Sequence, residues 1–185
     1  MVDDLDAVRA RFLNAIAAHV PEERWTERAD GGGSSIAALL LHVTVHQDLA
    51  ARTALGGQAP RFQTVAVGLG LDAGASPLAS LQEAEDPELT RTLDLTALQA
   101  YAADVHDDVE TVLAQLTTAE LEARPPAGER LATVGGVGFD EAPWLYEMWD
   151  GKPAAWFVRW ELIGHVQGHV GEMVSVRDRL GFRPF

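Results

Sequence analysis

The chain has 185 residues, 47% of them hydrophobic, and no cysteine. This length fits one domain, residues 1–185, with a core large enough to fold without disulfide bonds. The absence of cysteine excludes disulfides, thiolate metal sites and a cysteine nucleophile. The net charge of −14 predicts that the protein does not bind nucleic acid, because such binding requires a basic surface.

Four segments repeat apolar residues at helical spacing, and we predict helices over 4–20, 35–55, 96–116 and from 153 to just before Gly181. The N-terminal segment is acidic and amphipathic, unlike a signal peptide. No apolar stretch approaches the ~20 residues that span a bilayer. We therefore expect no membrane partner and a cytoplasmic location.

Two long connections, 56–95 and 117–152, separate these helices and contain most of the prolines. We predict one short helix in them, at 118–124, and residues 65–71 are a weak strand candidate. The pattern predicts an all-α fold, a four-helix bundle. Connections this long in a compact domain usually cover a site or bind a ligand.

His165 and His169 lie one helical turn apart in the apolar stripe of the last predicted helix. Their spacing places both imidazoles on one face, the geometry with which a helix chelates zinc. Two core histidines with satisfied hydrogen bonds are the alternative. Each neutral ring then needs both a donor and an acceptor partner in the core, which is hard to provide for two stacked rings.

A third ligand is expected from the second helix, where His42 and His46 are again one turn apart. Periodicity alone does not choose between them. His42 is deeper in the apolar run, whereas Gln47 and Asp48 follow His46 and suit a wetter boundary. We therefore predict His42, His165 and His169 as metal ligands, with His46 beside the site. The remaining histidines, His19 and His106, are expected at the surface or at helix ends.

Other residues are candidates for supporting the site. Carboxylates of the third helix are expected to accept hydrogen bonds from the ligand histidines: Asp104, Asp107 or Asp108. Gly164, Gly168 and Gly171 predict that a neighbouring helix, a dimer partner or a ligand approaches the last helix closely. Aromatic residues between 144 and 149, in a predicted loop, could wall a pocket over the metal.

The stretch WELIGHVQGHVGEMVSVRDRLGF, 160–182, resembles the last helix of the DinB/YfiT-like family, with its H-x3-H-x-G pattern and Arg-x2-Leu-Gly ending. His165, His169 and Gly171 match that pattern, whereas Glu172 stands where the family commonly has Gln. The stretch SSIAALLLHVTVHQDLAARTAL, 34–55, resembles the family's second helix, and His42 occupies its histidine position.

The resemblance implies a four-helix bundle with a three-histidine site for zinc or nickel, and a homodimer. Some members are transferases or isomerases that use a low-molecular-weight thiol such as mycothiol, bacillithiol or glutathione. Three neutral histidines leave the metal an open position, as in catalytic sites. We expect the metal to activate an external thiol or water for attack on a small electrophile. The alternatives are a metal-binding stress-response protein without turnover and a metal-dependent hydrolase.

Overall fold

A computed structural model describes residues 1–81 and 87–184, and in these ranges every regular element is helical. The prediction of an all-α fold is confirmed. Residues 65–71, the strand candidate, form the end of a short helix followed by turns. Residues 82–86 of the first long connection lie outside the described residues. Within those residues, no helix is both long and apolar enough to cross a membrane.

The four predicted helices are present with small shifts at their ends. They are α1 at 2–17, α2 at 36–55, α6 at Leu95–Gln115 and α10 at 154–179. Six shorter helices lie in the two long connections: α3 Phe62–Val65, α4 Leu78–Leu81, α5 Pro87–Arg91, α7 Thr118–Glu122, α8 127–135 and α9 Pro143–Trp149. Each of α1 and α2 packs against both α6 and α10, so the four long helices share one core.

The starts of α2 and α6 follow from their capping residues. Ser35 and Asp94 precede the helices and accept hydrogen bonds from the backbone N–H groups of Ala38 and Ala97. Thr117 and Glu120 form a reciprocal capping box that begins α7, the short helix predicted at 118–124.

Helix α2 is the centre of the molecule, because its residues from Ile36 to Asp48 are buried at almost every position. A helix that is buried on all sides has no polar face. Its polar side chains therefore bond to the protein: Gln47 donates to the Leu162 carbonyl at 2.8 Å. The expected wetter boundary around Gln47 and Asp48 is therefore wrong.

Asp48 fastens the first long connection to the core. Its carboxylate accepts hydrogen bonds from the backbone N–H groups of Arg61 and Phe62, at 3.0 and 2.9 Å, and from the Tyr101 hydroxyl at 2.7 Å. Burial raises the pKa of Asp48, and these donors lower it in part. These hydrogen bonds anchor the start of the first long connection to α2 and α6.

Candidate metal centre

The histidines of α2 and α10 form a ring of four imidazoles at the interface of these helices. The centroid distances around the ring are 4.7 Å from His42 to His46, 4.5 Å from His46 to His165, 4.6 Å from His165 to His169, and 4.8 Å from His169 back to His42. Helical spacing sets the pairs within each helix. The packing of α2 against α10 brings the two pairs together.

Three of the rings offer ligand atoms that all lie close to one another. One ring nitrogen from each of His42, His46 and His165 lies within 4.8 Å of the other two. The Nε2 atom of His165 is 3.3 Å from Nε2 of His42 and 2.9 Å from Nε2 of His169. All three ligands predicted from the sequence are therefore in the ring. His46 is also in it and is only 2% exposed.

The outer nitrogens of three rings bond to acceptors outside the ring. His42 Nδ1 lies 2.9 Å from the carbonyl oxygen of Ser80 in α4, and His46 Nδ1 lies 3.0 Å from a carboxylate oxygen of Glu161. His169 Nδ1 lies 2.9 Å from a carboxylate oxygen of Glu172. In a neutral ring that donates from Nδ1, the lone pair is on Nε2. These contacts therefore direct the lone pairs into the ring.

Burial keeps His42 and His46 in the form that binds metals. It lowers the pKa of His42 to about 3, with help from repulsion by His46. Burial also lowers the pKa of His46, although its hydrogen bond to Glu161 acts in the opposite direction. Both imidazoles are thus neutral near pH 7, and their Nε2 lone pairs are available.

Glu161 of α10 supports two members of the ring from a fully buried position. Besides His46, its carboxylate accepts a hydrogen bond from Trp149 Nε1 of α9 at 2.7 Å, and one of its oxygens lies 3.6 Å from His165 Nδ1. Burial alone would raise the pKa of Glu161, but its interactions with His165 and His46 outweigh burial and lower that pKa to about 2. The side chain is therefore a buried anion.

The donor set fits a divalent cation. Nε2 of His165 lies close to Nε2 of both His42 and His169, and a buried carboxylate lies behind the rings, so a cation would meet several nitrogen donors and a balancing negative charge. Two nitrogens bound to tetrahedral zinc at ~2.0–2.1 Å are ~3.3–3.4 Å apart. The His42–His165 separation of 3.3 Å agrees with this value, whereas the His165–His169 separation of 2.9 Å is shorter. His165 Nδ1 is buried without a hydrogen-bond partner, and the nearby Glu161 oxygen would orient it.

A π-helical stretch at Val158–Gly164 places Glu161 beside the ring. Such wide turns often occur at functional sites. Trp160 and His165, five residues apart, stack with centroids 5.8 Å apart and ring planes at 17°.

At Gly164 a Cβ atom would lie 2.8 Å from the Arg159 carbonyl oxygen, so the wide turn requires a glycine. At Gly168 and Gly171 a Cβ would meet nothing within 4 Å, and at Gly164 the nearest atom belongs to the same helix, so no neighbouring helix approaches these glycines closely among the described residues.

The supporting carboxylates are not those expected from α6. Asp104 and Asp108 pair with Arg61, and Asp107 lies 4.0 Å from Arg9. The expectation that one of them contacts a ligand histidine is wrong, because their side of α6 faces arginines. Glu161 and Glu172 bond the histidines instead. Glu161 precedes His165 by one turn, so the pattern E-x3-H-x3-H was visible in the sequence.

The two histidines outside the ring differ from each other. His19 is exposed, as expected. His106 was expected at the surface or a helix end, but it is only 7% exposed and lies in the middle of α6, 3.4 Å from Asp6. That expectation was therefore wrong for His106.

Two surfaces border the ring. Trp144, which is 40% exposed, lies 6.4 Å from His46 between ring centroids, although it belongs to helix α9 rather than to the predicted loop. On the other side, a cavity of ≈ 400 Å³ reaches His42 and His169 and includes Ser175 and Arg179 in its wall. A small molecule therefore has room beside the ring.

A family model described as the DinB superfamily matches residues 4–173, most of the chain. This match confirms the resemblance seen in the sequence. No curated protein and no solved structure matches the chain.

Proposed function

The chain belongs to the DinB superfamily, and from its ring of histidines we propose that it binds a divalent cation, zinc or nickel, and acts as a metal-dependent transferase. In this proposal a low-molecular-weight thiol, such as mycothiol or bacillithiol, or a water molecule attacks a small electrophile beside the ring. The observation that carries the proposal is the convergence of ring nitrogens from His42, His46 and His165 within 4.8 Å of one another.

His42 and His165 are the ligands common to the sequence-based set and to the geometry. We propose His46 as the third, because its outer nitrogen is bonded to the buried Glu161 anion. Acceptors of this kind orient a ligand histidine and raise its basicity. His169 is the third ligand predicted from the sequence and remains the rival to His46. Its place in the wall of the ≈ 400 Å³ cavity suits a group that faces the substrate.

The chain's own residues hold the centre and leave space for a reactant. Glu161 and the Ser80 carbonyl fix the orientation of the ring, and the cavity beside His42 and His169 receives the thiol and the electrophile. When bound, the cation supplies the positive charge that lowers the pKa of a coordinated thiol or water. The thiol must come from solution, because the chain has no cysteine.

A metal-binding role without turnover is the second candidate. The observation that favours it is the fourth histidine: if all four rings bind one cation, a tetrahedral site has no open position, as in structural zinc sites. Activity in the presence of metal separates the two candidates. If the electrophile is consumed in the absence of any thiol, the protein is instead a metal-dependent hydrolase.

The test combines metal loading with a search for a conjugate. Purified protein is loaded with zinc or nickel and incubated with mycothiol, bacillithiol or glutathione and a panel of small electrophiles. Mass spectrometry then follows the thioether product and the hydrolysis product. We expect a product whose formation requires the metal and is lost in His165→Ala but not in His19→Ala. Stoichiometric metal with no product from any pair would support the binding role instead.

A further inference from the structure

A second cavity lies between the four long helices, and none of the four ring histidines lines it. It has a volume of ≈ 160 Å³ and is lined by residues of all four long helices. Its deep wall consists of buried apolar side chains of α2 and α10: Leu40, Val43, Val166, Val170 and Met173. The mouth lies between α1 and α6, where Arg9 and the exposed Leu13 line it.

The polar groups of the deep wall are already bonded to the protein. The Thr44 hydroxyl donates to the Leu40 carbonyl at 2.7 Å, and the Gln47 amide donates to the Leu162 carbonyl at 2.8 Å. A cavity with so few available polar partners holds water poorly. Apolar cavities of about 150 Å³ take up molecules the size of benzene. The volume and the lining therefore suit a small, mainly apolar molecule.

The charges at the mouth disfavour an anion. Arg9 lies 4.0 Å from Asp107, and His106 Nε2 lies 3.4 Å from Asp6, so each basic group faces a carboxylate. The whole chain carries −14. A charged ligand would also lose its hydration in the apolar interior without gaining an unpaired partner. A neutral molecule avoids both costs.

We propose that this cavity is a binding site for a small neutral aromatic molecule of the phenol or cresol class. The ring occupies the wall formed by Val43, Val166 and Met173, and the hydroxyl lies toward His106 and the mouth. We expect binding at this site not to require the metal, because none of the four ring histidines lines the cavity.

The first experiment titrates the whole protein with p-cresol and with p-toluate, an anion of similar size. Calorimetry and methyl NMR signals of Val43, Val170 and Met173 report binding. We expect saturable binding of p-cresol, a rise in Tm with its concentration, and binding of p-toluate at least ~10-fold weaker. Absence of binding up to the solubility limit of p-cresol, or equal binding of p-toluate, would overturn the proposal.

The second experiment fills the cavity from α6. Ala102→Leu places a larger side chain in the cavity, and Ala103→Val is a smaller change at the neighbouring wall position. Ala114→Leu, at an exposed position of the same helix, is the matched control. We expect at least one filling variant to fold and to bind p-cresol at least ~10-fold more weakly than the control, as expected from crowding a closely fitting pocket. Wild-type affinity in the filling variants, or failure of both to fold, would overturn the proposal.

The metal content of the same variants separates this proposal from the proposed function. We expect Ala102→Leu to retain its zinc or nickel while it loses p-cresol. A protein that binds p-cresol but no metal would leave the cavity proposal intact and contradict the proposed function alone.

Discussion

Glu161 Oε2 lies 3.0 Å from His46 Nδ1 and joins α10 to α2 across 115 residues of sequence. The same carboxylate accepts the Trp149 indole N–H, so three helices meet at one buried anion. Removing a carboxylate from water is costly, so we infer that Glu161 has a role beyond packing. We assign it the role of orienting the histidines and balancing the charge of a cation.

Glu161→Gln separates these roles from simple packing. The variant keeps the shape of the side chain but removes the buried charge, and its single amide oxygen cannot accept from both His46 and Trp149. We therefore expect the metal-free protein to be less stable than the wild type. Metal affinity should fall by ~10–100-fold, as is typical when a group that supports a ligand is changed. Chemical unfolding and a competition titration with a chelator measure the two quantities.

Glu172→Gln is the matched control, because this carboxylate also bonds a histidine but its side chain is 59% exposed. We expect a loss of metal affinity smaller than that of Glu161→Gln. Equal losses in the two variants would contradict a special role for the buried anion.

The π-helical turn makes a prediction about two glycines of the same helix. Gly164→Ala should destabilise the protein by ~1–3 kcal/mol, because the new Cβ meets the Arg159 carbonyl oxygen. Gly168→Ala meets nothing and should stabilise it by up to ~1 kcal/mol through helix propensity. Thermal unfolding of both variants tests the prediction, and the same sign of change in both would argue against the wide turn.

Acid should destabilise the metal-free protein through the ring. Burial lowers the pKa of His42 to about 3, whereas an unfolded histidine titrates near ~6.5. Between these values the unfolded chain binds the extra proton, so the free energy of unfolding falls as the pH is lowered from ~6.5 toward ~3. Each such group changes the folding equilibrium by at most ~10-fold per pH unit.

Comparison with His42→Asn isolates the contribution of His42 from that of the carboxylates. Unfolding with denaturant at several pH values between 6.5 and 4.5 should give a shallower dependence in the variant. An identical dependence in the two proteins would show that His42 is not the buried neutral base described above.

The third ligand is decided by His46→Ala and His169→Ala. We expect His46→Ala to lose the metal and His169→Ala to retain it with a loss of no more than ~100-fold, because His46 belongs to the converging group of nitrogens and is held by the buried Glu161. Competition with a chelator ranks the two affinities. The reverse order would restore the set His42, His165 and His169, and equal, severe losses would indicate a site of four histidines.

Helical periodicity predicted the four long helices and the inward-facing pair of His165 and His169, because both depend on local spacing. Periodicity could not choose between His42 and His46 as the third ligand, because α2 is buried on all sides. It lacks the polar face that normally shows which side of a helix points away from the core. The polar residues after His46 were misleading for the same reason. Gln47 and Asp48 bond to the protein in the interior rather than to water.

The supporting groups of the site depend on tertiary contacts and on the local winding of α10. Glu161 reaches His46 only because α2 packs against α10, and the π-helical stretch ending at Gly164 brings Trp160 onto the His165 ring. The acceptor at Ser80 is a backbone carbonyl, which any residue type would provide, so the sequence does not mark it. Sequence spacing alone could have suggested Glu161, because it precedes His165 by one turn.

The metal content of purified protein is the most direct test of the central claim. Wild type, His165→Ala and His19→Ala are purified without chelator, loaded with zinc or nickel and freed of excess metal, and elemental analysis gives the metal per chain. We predict one equivalent in the wild type and in His19→Ala, whose histidine is exposed and outside the ring, and none in His165→Ala. A wild type that holds no metal, or a His165→Ala variant that retains one equivalent, would contradict the account.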